Sequence, residues 1–158
     1  TLSLHDALPI LGGGIIMAKQ YKKILVPVDG SDQAYNAVRE GVMLAQWSEA
    51  ELIVLTVKDL VRYYGIANYG IVETPGLDKL ANDILLKVGS IIPAESKFKT
   101  QILSGSPKRE IVQYAKENDI DLIVMGATGA GAFDRLLAGS TTNYVVNHAP
   151  CGVTIVQG

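Results

Sequence analysis

The apolar run Asp121-Leu122-Ile123-Val124 leads straight into Met125-Gly126-Ala127-Thr128-Gly129-Ala130-Gly131. A run this short and this apolar suits a buried parallel strand, and such a strand has to be covered on both faces. Glycines directly after it let backbone N–H groups turn toward a ligand with no Cβ in the way. Beyond Leu136-Leu137-Ala138, the cluster Gly139-Ser140-Thr141-Thr142 opens a helical pattern. There Ser is a favoured cap, and the first N–H groups of a helix attract anions. Together the two elements predict a cradle for a polyphosphate. Read singly, each glycine is equally well explained by a tight turn or by a helix packed closely on a sheet.

The rest of the chain supplies the sheet. Ile24-Leu25-Val26-Pro27-Val28 reads as a first buried strand, with Pro27 near its C-terminal end because proline cannot donate to a ladder. Asp29-Gly30-Ser31 is a turn, and Ser31 or Asp32 can cap the helix whose stripe is Ala34, Ala37, Val38, Gly41, Val42 and Ala45. Residues 52–57 form a second buried strand. Residues 58–73 show no clean period and read as a long loop or short helix over the end of that strand. Helices are expected to begin at Thr74-Pro75 and at Ser106-Pro107. The first buries Leu77, Leu80, Ala81, Ile84, Val88 and Ile91; the second buries Ile111, Val112 and Ala115. Between them residues 97–102 alternate, as an edge strand with one wet face does. A helix from Ser140 to about Asn147 and a short fifth strand, Val153-Thr154-Ile155-Val156, close the chain. Alternating strands and helices imply right-handed crossovers and a parallel sheet, with ligands outside its carboxyl ends.

Composition excludes some functions. The formal charge is −2 with no basic stripe, which argues against a general nucleic-acid binder. A single cysteine allows no intrachain disulfide and points to a reducing cytoplasm. No run of about 18 apolar residues is present to cross a membrane. Residues 1–16 hold an apolar, glycine-rich stretch, 8–16, with no basic segment before it, unlike a signal peptide. They are expected to be a non-native leader, and residues 17–158 the single domain.

The full pattern Gly126-x2-Gly129-x9-Gly139-Ser140, with Val26-Pro27-Val28-Asp29-Gly30-Ser31 and His148-Ala149-Pro150-Cys151, resembles the ATP-binding branch of the universal stress protein family over residues 22–157. The resemblance implies a five-stranded parallel sheet of order 3-2-1-4-5 with helices on both faces, a Rossmann-like adenine nucleotide alpha hydrolase-like fold. It also implies an ATP site made by Pro27, Asp29, Val57, Met125, Gly126, Gly129, Gly139, Ser140, Thr141 and Thr142. Mg2+ or Mn2+ would be held mainly by the phosphates. Asp29 would receive ribose hydroxyls, unless it only makes an Asx turn. The backbone of Val57 would meet adenine, although its side chain reads as ordinary core. Gly126 and Gly129 would bring amides to the phosphates.

Three positions depart from the family pattern, one of them Gly152, which stands where proline is common and bears on the local turn but not on the site. Ala127 and Ala130 stand where many members have a polar and a basic residue, and Arg135 either compensates or lies on a solvated helix face. No Gly-x4-Gly-Lys-Ser/Thr loop occurs. His148 reads as a helix C-terminal residue and Cys151 as a packed thiol, so no catalytic set is assigned. The function implied is a nucleotide-dependent stress or signalling module that meets a protein partner. The alternatives are a slow ATP hydrolase or other adenylate-handling enzyme, and a structural stress protein that binds no nucleotide. Residues 58–73, with their three tyrosines, either cover the adenine or face solvent or a partner. The uncharged, apolar fifth strand is expected at a sheet edge and, as in the family, to pair with its copy in a homodimer.

Overall fold

Each apolar run becomes a strand of one parallel sheet. The strands are β1 (Lys23–Val28), β2 (Glu51–Asp59), β3 (Phe98–Gly105), β4 (Leu122–Gly126) and β5 (Gly152–Val156), in the order β3-β2-β1-β4-β5. The helices between them are α1 (Asp32–Ser48), α2 (Leu60–Tyr64), α3 (Pro75–Ile91), α4 (Pro107–Glu117) and α5 (Ser140–His148). This computed structural model describes residues 20–64, 74–128 and 138–158. The expected leader, residues 65–73 of the loop after β2, and Gly129, Ala130 and Arg135 lie outside the described residues.

Strand side chains divide between the faces with period two. Ile24, Val26, Leu52, Val54, Leu122 and Val124 pack with α1 and α3. Leu25, Ile53, Leu55, Ile123 and Met125 pack with α4 and Val145 of α5. Helices on both faces are why the three inner strands read as unbroken apolar runs. The edge strands do not: on β3 only Gly105 is buried and the strict alternation expected from sequence is not seen, and Lys99 on it reaches Glu51 of β2 at 2.7 Å.

The helix starts follow the expected signals with one variation. Ser31 caps α1, its hydroxyl accepting from Ala34 N–H at 3.2 Å. Pro75 and Pro107 open α3 and α4, but Thr74 and Ser106 make no side-chain cap bond. On α3 the seam is Leu77, Ala81, Ile84 and Val88, followed by Ile92 just past the helix. Leu80, expected inside, is 46% exposed, because it lies on the flank of that seam. Lys58, read as the first loop residue, instead belongs to β2 and ties its end to α3 through Asp78 at 2.6 Å.

The two central strands are joined firmly at one end only. At the amino end, the Asp121 carboxylate accepts from the N–H groups of Lys22 and Lys23 at 2.8 and 2.9 Å. Its own N–H donates to Lys23 C=O at 3.0 Å. Partners between β1 and β4 are Ile24↔Leu122 and Leu25↔Ile123, whereas β1 stays paired to β2 as far as Val28↔Thr56. Pro27, which has no N–H, lies in the stretch where the β4 ladder has lapsed.

Helix α1 crosses this junction at close range. A Cβ on Gly41 would lie 2.6 Å from Cγ2 of the fully buried Val26. Gly41→Ala should therefore lower stability by about 1–2 kcal/mol, overpacking outweighing the gain in helix propensity. Urea unfolding measures this, and an unchanged or raised midpoint would show that α1 can lift off the sheet.

Candidate functional site

Where β1 and β4 part, the carboxyl ends of the strands enclose a crevice of about 620 Å³. That is within the roughly 300–1,000 Å³ usual for small-molecule sites. Pro27, Asp29, Val57, Met125, Gly126, Gly139, Ser140, Thr141 and Thr142 all line it. Of the ten residues that the family resemblance assigns to the site, Gly129 alone lies outside the described residues. The residues come from separate parts of the chain, and the strand order brings them together.

The Asp29 carboxylate follows β1 and is exposed at the crevice. Its Oδ1 accepts from Ser31 N–H at 3.0 Å and from the Ser31 hydroxyl at 2.7 Å. The Asx turn weighed for this residue thus exists, with Gly30 at φ +88° inside it, and the turn aims the carboxylate into the crevice. Beside it, burial first and then the Asp29 and Asp32 carboxylates push the Tyr35 hydroxyl above its ordinary pKa. The phenol therefore stays protonated.

Gly126 is not a residue after the strand but the last residue of β4. A Cβ there would lie 2.9 Å from Gln33 Cβ and 3.1 Å from Gln33 backbone carbon. Close packing of the α1 amino end thus requires glycine here, in addition to any ligand role. The Thr142 hydroxyl, buried, donates to Gly126 C=O at 2.9 Å. It holds the floor of the site, while the Thr142 amide remains part of the first turn of α5. Gly139, rather than Ser140, is the N-cap of α5, and Asn143 N–H makes the first helical bond, to Gly139 C=O at 2.9 Å. The amides of Ser140, Thr141 and Thr142 precede that bond and have no acceptor within the helix. With the exposed Ser140 side chain and the half-buried Thr141, they form an anion-attracting edge.

Three polar residues escaped the sequence reading. Arg62 of α2 and Lys108 of α4 bring cations to the crevice. Lys108 Nζ lies 5.4 Å from the centroid of the Tyr144 ring, one turn beyond Ser140. A signal for Lys108 existed: a cation in the first turn of a helix opposes the helix dipole. Gln33, in the first turn of α1, accepts at Oε1 from Thr128 N–H at 2.8 Å and from the Thr128 hydroxyl at 2.9 Å. Nothing local marks it, since its partner is far away in sequence.

His148 and Cys151 keep the roles expected of them. The imidazole Nδ1 lies 2.8 Å from Tyr144 C=O and its ring stacks on Tyr144 at 4.0 Å. Cys151 packs, half-buried, against the core that includes Ile123 and Val145. Among the described residues, no group of three or more His, Cys, Asp or Glu could hold a metal ion. None of their helices is long and apolar enough to cross a membrane.

Comparison with known proteins agrees with the fold and the motifs. The profile of the universal stress protein family matches residues 20–157. A universal stress protein of Methanocaldococcus jannaschii is 34% identical over 140 residues, 87% of this chain and 82% of that one. The structure of the universal stress protein UspA from Lactobacillus plantarum is 38% identical with a TM-score of 0.68, over 88% of this chain and 99% of that one. The Archaeoglobus fulgidus universal stress protein in complex with dAMP is 22% identical with a TM-score of 0.67, over 87% of this chain and 99% of that one. At that identity the likeness is one of fold. With its sheet order, its glycine pattern and a profile match over nearly its whole length, the chain belongs to the universal stress protein family.

Proposed function

We propose that the crevice binds ATP, and that the protein is a cytoplasmic stress or signalling module whose nucleotide occupancy alters how it meets a partner protein. The observation that carries this reading is the meeting of Asp29, Gly126 and the α5 amino end on one crevice where the strand order reverses. Asp29 would take ribose hydroxyls, the backbone at Val57 adenine, and the amides of Gly126 and Gly129 with Gly139, Ser140, Thr141 and the Thr142 amide the phosphates. Mg2+ or Mn2+ would be carried in mainly by those phosphates. That a protein of the same fold was solved in complex with dAMP supports a nucleotide ligand, but lends no site and no residue roles.

Charge supports a polyphosphate. Ala127 and Ala130 leave the glycine pattern without the usual cation, and Lys108 lines the same crevice as Ser140, its Nζ 5.4 Å from the Tyr144 ring of α5. Calorimetric titration tests both parts. Wild type should take one ATP per chain without multiple-turnover release of ADP, and sustained release would favour the hydrolase reading instead. Lys108→Ala should weaken ATP about threefold to fivefold, as an exposed ion pair does, and AMP less. The difference should shrink in high salt. Equal losses for ATP and AMP would remove Lys108 from the phosphates, and no binding to wild type would refute the proposal.

The homodimer proposed through β5 rests on the sheet edge. That strand pairs with β4, none of its residues is fully buried, Ile155 is 36% exposed, and Val146 of the neighbouring α5 is 51% exposed. Its five residues carry no charge to deter another strand. Ile155→Lys should shift sedimentation toward monomer. A wild type already monomeric at tens of micromolar contradicts this assignment.

A further inference from the structure

The three residues that lead from β4 into the glycine loop are each held by a different element. Gly126 C=O accepts from the Thr142 hydroxyl on α5. Ala127 donates to Val156 C=O of β5 at 2.9 Å, and accepts from Gly139 N–H at 2.8 Å. Thr128 is held by Gln33 of α1, at both its N–H and its hydroxyl. Thr128 is the last of these and the direct neighbour of Gly129. Thr128 also lines the crevice, so what holds it shapes that wall.

Gln33 is built for that task. The absence of a Cβ on Gly126 lets the Gln33 backbone and Cβ sit against β4, so the root of the side chain is fixed by packing. A backbone N–H can only donate, so the Gln33 atom facing Thr128 must be the carbonyl oxygen. The amide nitrogen then turns away, toward Gly158, whose Cβ would lie 3.6 Å from it. Gln33 thereby fills the gap between the amino end of α1, the loop after β4 and the segment after β5. We propose that Gln33 is a positioning residue for the phosphate site: by holding Thr128, which lines the crevice, it fixes the exit of β4 toward the ligand without touching the ligand. This rests on the nucleotide reading above. The hydrogen bonds it invokes are properties of the protein without nucleotide, so they are tested separately.

The variants are Gln33→Met, which keeps length and helix propensity but loses the acceptor, and Gln33→Glu, which keeps it. In the nucleotide-free protein, hydrogen exchange at the Thr128 amide should be slow in wild type and in Gln33→Glu, and at least about tenfold faster in Gln33→Met. In ATP titrations of folded protein, Gln33→Met should bind roughly tenfold more weakly, the scale of two modest hydrogen bonds. Thr128→Val and Gln33→Met should be non-additive in their effect on ATP affinity. Two results overturn the proposal: unchanged Thr128 exchange in Gln33→Met, or lost stability with unaltered ATP affinity. A wild type that binds no ATP, with exchange behaving as stated, retains the Gln33–Thr128 anchor and defeats the nucleotide reading instead.

Discussion

The pairing of β1 with β4, tight at one end and absent at the other, is the constraint on which the site depends. Asp121 fastens the amino ends through two backbone N–H groups and one carbonyl. Beyond Leu25 and Ile123 the register lapses, while β1 remains paired to β2 for three more residues. Proline at 27 contributes no donor with which to continue. The strands therefore diverge on the side where the connections leave for opposite directions along the sheet, and a crevice forms between their carboxyl ends.

Glycine serves packing and the site at once. Gly41 lets α1 approach Val26, and Gly126 lets the first turn of the same helix approach β4. This proximity brings Gln33 within reach of Thr128 and sets the Asp29 turn beside β4. The alternative of close helix packing, weighed for the glycines from sequence alone, is therefore realised at Gly126 without displacing it from the crevice. A crevice-lining backbone and a helix-facing one are two sides of the same residue.

Much of this was legible in the chain. Runs such as Leu52 to Leu55 and the α1 stripe announce themselves by period, and the alternation of elements gives a parallel sheet. The strand order came from resemblance to a family, because nothing in the period of a strand says which neighbour it takes. Misreadings fell where tertiary geometry overrides local pattern. Leu80 matches the helical stripe but flanks the seam at the crevice. Ser140 looks like a cap, yet Gly139 takes that place with extended backbone. Thr142 looks like a ligand hydroxyl, yet it is committed to Gly126 C=O. Gln33 and Lys108 were overlooked because their meaning lies in partners on other elements. Those residues bring a hydrogen-bond acceptor to Thr128 and a cation to the crevice.

The central claim is that this crevice is an adenine nucleotide site, with phosphates at the α5 amino end. Mass spectrometry of the nucleotide carried through purification under native conditions tests it most directly. The account predicts one ATP per chain in wild type, and its loss when valine at position 129 fills the space the phosphates need. Protein that emerges without nucleotide and takes none at millimolar ATP would contradict it. So would ATP retained at the wild-type level by Gly129→Val.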